Sequence, residues 1–211
     1  MRVLFSIGLL LVVMVKSVLA APQVKPPSEL QVLQFSVFDH FIRTIIPKSW
    51  AFEEPAVKRL SEDKAIIEII PKNESIDNYR NVFTLQVFKG SAHKEDLDSA
   101  DVIQNIANHV HSLNPDKFMF TKLGEKTEGR LNSFMAVIGC GELREDFSNS
   151  FKKGDGEVSI FLCIKGEDNV YLINRSWSVD SYETREELVV SDEELRTWVR
   201  YLNSIRLVKD E

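Results

Sequence analysis

The sequence predicts an α+β domain, an antiparallel β-sheet meander with helices packed on it. Three observations carry this. Short β-branched runs recur through the chain. Turn chemistry at Lys152-Lys153-Gly154-Asp155-Gly156 and Gly166-Glu167-Asp168-Asn169 separates the last three strand-like runs. Two segments carry apolar stripes at helical spacing.

From Leu30 to Ile46 the first part alternates like a strand, while the second reads as i, i+3, i+4; periodicity leaves strand and helical turn both open. Pro47 ends the segment and leads through a turn into a strand around Trp50–Phe52. Lys64–Ile70 is a β-branched strand stopped by Pro71, and Asn81–Lys89 is an alternating strand ended by Gly90. Ser99–Asn114 reads as a helix, with Val102, Ile103, Ile106, Val110 and Leu113 on one stripe. Strands follow at Phe118–Leu123, Leu131–Leu143, Glu157–Lys165 and Val170–Val179. In the closing helix Ser191 is the cap and Glu194 its capping-box partner. The stripe Leu195, Trp198, Val199, Leu202, Ile205 must lie on the meander.

Composition excludes several classes. The chain has 211 residues, 44% of them hydrophobic and 27% charged, with 9 Gly and 7 Pro, which removes disordered and collagen-like proteins. A net charge of −6 without a dense Lys/Arg run argues against nucleic acid as partner. Residues 3–15 form an apolar run too short to span a bilayer, which takes about 20 residues. Followed by Val18-Leu19-Ala20, the run reads as a signal peptide over 1–20 cleaved before Ala21, with an uncleaved N-terminal anchor as the alternative. Residues 21–29, with Pro22, Pro26 and Pro27, form an extended leader, and 30–211 a single α+β domain. Cleavage leaves no expected membrane span and places the protein in the periplasm or outside the cell.

Ile46-Pro47-Lys48-Ser49-Trp50 resembles the IP-x-x-W opening of the PsbP/DcrB-like fold, and the order hairpin, helix, meander, closing helix matches it. Glu68-Ile69-Ile70-Pro71, Asn78-Tyr79-Arg80-Asn81 and Thr84-Leu85-Gln86 look similar to uncharacterised secreted proteobacterial proteins. Over residues 40–208 the resemblance implies a non-enzymatic accessory or binding role in the cell envelope, through contacts with an envelope or secreted protein, without a shared catalytic site. The lipid-attachment cysteine of the fold's lipoprotein member has no counterpart here. A secreted hydrolase built from distant residues and a host-directed virulence or inhibitor protein are the competing functions.

Gly139-Cys140-Gly141 superficially suggests a nucleophile on a tight turn, but in an exported chain a Cys140–Cys163 disulfide is the expectation. Their numbers place the two opposite each other in a hairpin centred between Phe151 and Lys152. His109 and His111 diverge on a helix and are expected to be solvated, not metal ligands. Glu142, Arg144, Glu145 and Asp146 could offer a carboxylate pair, but read as a charged loop. Asp39, His40 and Ser36 or Ser49 assemble a triad only on paper, with no nucleophile elbow. Trp50, Tyr171, Arg175 and Trp177 are the candidate binding residues, weighed against core packing; Trp198 belongs to the helix stripe. The glycosylation tripeptides at Asn73 and Asn174 are read as inert on the bacterial origin the resemblance implies. No cofactor and no metal is expected.

Overall fold

The computed structural model describes residues 29–209 apart from 39, 51–55, 60, 75–78, 94–97, 129–130, 145, 147–151 and 189. The signal-peptide and leader expectations for residues 1–28 therefore lie outside the described residues, as does most of the strand expected around Trp50–Phe52.

The ambiguous segment resolves into a hairpin, β1 (Leu30–Val37) and β2 (His40–Pro47), with Val37 opposite His40. The i, i+3, i+4 pattern in β2 arises because both faces of that strand carry apolar side chains. Phe38 sits at φ 55° in the turn. Strands β3 (Ala56–Arg59), β4 (Lys64–Ile69) and β5 (Asn81–Phe88) pair in sequence, each antiparallel to the next. Helix α1 (Ser99–Leu113) follows, capped by Asp98, whose side chain accepts from the Ser99 amide at 2.5 Å.

The meander is β6 (Phe118–Glu128), β7 (Leu131–Cys140), β8 (Gly156–Lys165) and β9 (Val170–Val179). Helix α2 (Asp192–Asn203) begins as the capping box dictates, with the Ser191 hydroxyl accepting from the Glu194 amide at 3.1 Å. A last strand, β10 (Arg206–Lys209), was not anticipated; four residues after a helix are too few to show a period.

Two sheets result. The larger runs β3-β4-β5-β9-β8-β7-β6 and the smaller β1-β2-β10. The alternation of each central strand feeds two separate cores. On one face Ala136, Ile138 and Leu172 meet Ile103, Ala107 and Val110 of α1. On the other, Leu85, Ile160 and Ile173 meet α2 and the inner side of the small sheet, including Phe35, Ile42 and Ile46. This is the α+β arrangement predicted, with the closing helix sharing its face of the meander with a second sheet.

The expected disulfide is absent. Cys140 lies opposite Glu157, and Cys163 lies opposite Phe134. The two thiols share a face and a core, and both are free. They stand six strand positions apart along the ladder, about 20 Å at the usual rise. The turn at Gly154, beside the expected hairpin centre, sits at the foot of β8. Leu143 and Asp155 close the loop there through Leu143 N–H to Asp155 O at 2.8 Å and Gly154 N–H to Leu143 O at 2.8 Å.

Candidate functional site

Arg175 enters the core because its position on β9 faces inward, between Ile173 and Trp177. Only 1% of it is exposed. An isolated buried charge is costly, and three tryptophans offset the cost. The guanidinium carbon lies 3.9 Å from the ring centre of Trp177, 4.5 Å from that of Trp50 and 4.9 Å from that of Trp198. Nη2 donates to Asn81 Oδ1 at 2.7 Å, and Nη1 donates to the Ser176 carbonyl. Glu194 Oε1 stands 3.9 Å away and accepts from Trp177 Nε1 at 2.8 Å. Burial lowers the Arg175 pKa to about 9, above neutral pH, so the guanidinium stays charged.

Three of the four candidate binding residues, Trp50, Arg175 and Trp177, are thus brought together with Trp198, inside the molecule. Tyr171 stands apart, edge-on to His40, and its hydroxyl accepts from Asn169 Nδ2 at 3.3 Å. The cluster locks α2 in place: Trp198 packs on Trp50 at 4.9 Å between ring centres, on Phe83 at 6.2 Å and on Trp177 at 6.5 Å.

The accessible site is on the other flank of that helix. Leu195 and Val199 of α2 face Met119, Thr121 and Leu123 of β6 across a cavity of about 130 Å³ floored by Val137. Asp192 and Arg196 stand at its rim. A second hollow of about 210 Å³ shares Leu123 and Val199 and ends at Asn203 and Lys126. Leu123 is 41% exposed, and the register shift between Lys122 and Gly124 falls on it. A bulge of this kind re-aims a side chain and disrupts the edge ladder. Sequence reasoning missed this groove; the exposed Leu123 within a Lys/Glu-rich strand was the available signal.

Of the remaining sequence candidates, Glu145 lies outside the described residues, and most of the others have structural partners. Gly139 and Gly141 are small because Tyr182 crosses them: a Cβ on Gly139 would stand 2.5 Å from the Tyr182 hydroxyl, and one on Gly141 would collide with the Tyr182 carbonyl. Tyr182 donates to Glu157 O at 3.0 Å. Cys140 is therefore no exposed nucleophile; burial raises its thiol, and burial pushes the Cys163 thiol up to about 12. Glu142 and Glu183 both hold Lys117 Nζ, at 2.7 and 2.5 Å, and Arg144 pairs with Asp116 at 3.1 Å. These acids are ion-paired clasps between loops, with Lys117 raised above the ordinary lysine range by its hydrogen bond to Glu142.

His40 faces the inner side of the small sheet and meets Asn169 through Nδ1 at 3.3 Å. Ser36 faces the outer side and Ser49 lies beyond the far end of β2, so neither serine joins it; Asp39 lies outside the described residues. His111 packs edge-on to Phe118 at 5.1 Å. Among the described residues no group of three or more His, Cys, Asp or Glu could hold a metal. Asn174 is buried, and its side-chain amide donates to Ser176 Oγ at 2.8 Å, so the folded strand withholds that tripeptide. Among the described residues no helix is long and apolar enough to cross a membrane.

No family model matches the chain, and no curated protein matches it. Among solved structures it is similar to the Ran-binding protein Mog1p of Saccharomyces cerevisiae, at 10% identity over 84% of this chain and 95% of that one, with a TM-score of 0.47. A Mog1 variant gives 11% identity over 85% and 97%, with a TM-score of 0.48. LpqN, involved in cell envelope biogenesis of Mycobacterium tuberculosis, gives 13% identity over 85% and 91%, with a TM-score of 0.36.

Proposed function

We propose that this chain is an exported, non-enzymatic accessory or binding protein that works through protein–protein contacts in the cell envelope. The observation that supports it is the open apolar groove between α2 and β6, whose helical wall is fixed from behind by the Trp50–Trp177–Trp198 cluster. A groove with apolar walls and a charged rim accepts apolar side chains of another protein and sets their register by the charges. Among the described residues, Glu142 and Glu183 are engaged by Lys117, and both thiols are buried in a core.

Export rests on the apolar run over residues 3–15 and on Val18-Leu19-Ala20. Intact-mass analysis of protein from its native host should show an N-terminus at Ala21, and a mature pool that keeps Met1 would overturn it. The binding role is tested by placing a photo-crosslinking residue at Leu195 in the native cell. A defined protein adduct that disappears with Val199→Asp is expected. Hydrolytic turnover by the purified chain, with no adduct formed, would favour the hydrolase reading instead.

A further inference from the structure

Among the described residues the small sheet is covered on one face only, yet both of its faces carry apolar side chains. Its inner side, with Phe35, Val37, Ile42 and Ile46, is buried in the core. A one-sided antiparallel sheet ordinarily turns polar residues outward. Here the outward positions carry Val32 opposite Ile45, and Phe41 opposite both Ser36 and Val208. Val32 is 38% exposed and Val208 49%.

Between these apolar rows runs a polar one. Gln34 stands opposite Arg43, and Arg43 opposite Arg206. Like charges directly across a ladder are destabilising. Both arginines are exposed, and among the described residues neither makes an ion pair with a carboxylate. Arg206 Nη1 donates only to the carbonyls of Asn203, at 3.0 Å, and Ile205, at 2.8 Å. Glu128, which feels Arg206 weakly, is already bonded to Lys126 at 2.6 Å. Among the described residues the outward face carries no acid, in a chain of 32 acids against 26 bases.

Charge decides what such a face accepts. A second copy would set guanidinium against guanidinium. Residues 1–28 of this chain hold Arg2, Lys16 and Lys25 and no acid, so they repel it too. An anionic membrane asks for a cluster of about 4–8 basic residues, and the chain as a whole carries −6. A carboxylate-bearing protein segment meets both requirements, because the guanidinium fork matches a carboxylate in two parallel bonds and the flanking rows take apolar side chains.

We infer that the outward face of the three-stranded sheet docks a protein partner through a segment whose carboxylates seat on Arg43 and Arg206, between apolar side chains that cover Val32, Phe41, Ile45 and Val208. This rests on the binding role proposed above and gives that role a partner chemistry.

The test uses the purified full chain as it is secreted or retained by its host. A randomised displayed peptide library is selected against it, and the selected peptides are synthesised and titrated calorimetrically. Asp and Glu beside Leu, Ile, Val or Phe should dominate the selection. The double variant Arg43→Glu/Arg206→Glu, with an unchanged melt, should bind them about tenfold more weakly or worse. The same peptides with Lys in place of their acids should prefer the double variant to the wild type. Peptides without acidic enrichment, or binding indifferent to the double variant, would overturn the inference. Binding lost with Val199→Asp alone would also remove this face while leaving the binding role standing. Binding to phosphatidylglycerol vesicles without any to peptides would assign the face to a membrane, and a dimer dissolved by Val208→Asp would assign it to a second copy; either overturns it.

Discussion

Arg175 shows how one residue can be both a liability and a fixture. Its guanidinium gives up water for three tryptophan faces and two hydrogen-bond acceptors, while its Nε finds no partner among the described residues. Truncation leaves a cavity between the tryptophans, so Arg175→Ala should cost about 3 kcal/mol in denaturant titration. Arg175→Met keeps the volume and gives up the charge. Replacing a buried ionic group by an apolar one of similar size is commonly near neutral, so its expected cost is about 1 kcal/mol. Equal losses in the two variants would show that the charge, and not the filling, holds the cluster. Glu157 is the acidic counterpart on the other face of the same sheet. Burial raises its carboxyl above the ordinary 4.5, while the hydrogen bond from Ser159 at 2.8 Å pulls the other way. The folded chain therefore keeps this proton to higher pH than the unfolded chain does. Its contribution to stability is complete below the ordinary value and is lost as pH rises through the folded one. Glu157→Gln should match the wild-type melting temperature in acid and exceed it increasingly towards neutral pH. A constant difference between the two curves would remove this account of the half-buried Glu157.

At the scale of elements, α2 carries most of what it does through one side chain. Trp198 is 4% exposed and touches Trp50, Phe83, Trp177 and Tyr201. Trp198→Ala should cost about 3–5 kcal/mol, a large part of a usual domain stability of about 5–15, and should blur the groove wall formed by Leu195 and Val199. A melt indistinguishable from wild type would show that the helix is held elsewhere. Trp198 was legible in the sequence because a helix stripe has a fixed geometry and its cap names its start. The Cys140–Cys163 pairing shows where legibility stops. Alternation has a period of two, so it tells which face a residue takes and nothing about its partner. The expected and observed β7–β8 registers differ by an even slip, which leaves Val137, Val158, Ile160 and Leu162 on one face whichever partners they take, while Leu143, beyond the end of β7, falls to the other core. The partners were wrong, because the partner is set by a loop that runs from Gly141 to Asp155. Arg175 and Glu194 meet from β9 and α2, and the groove needs β6 and α2 side by side; no local pattern records either encounter. The outward apolar row of the small sheet was visible residue by residue, but took on meaning only once β1, β2 and β10 were seen to share one sheet.

For the whole molecule, the governing fact is that one sheet serves two cores. Strand β9 is buried along its whole length and lies between β5 and β8, so neither core can lose it and survive. The chain carries its own reporters of the two sides. Its 3 tryptophans all lie in the core shared with α2 and the small sheet, and its 2 cysteines both lie in the core beneath α1. Tryptophan emission and thiol labelling therefore follow opposite faces of the same sheet. In native buffer neither thiol should react, since Cys140 and Cys163 are both fully buried. A digest without reductant should give their peptides unlinked. Through a urea titration the two signals should share a midpoint, because unpacking either face exposes strands on which the other depends, and coincident probes are the mark of a single cooperative transition. Thiols that become reactive well before the tryptophans change would show that α1 leaves the sheet while α2 and the small sheet hold. The binding surfaces, all on the α2 side, would then outlast half of the fold.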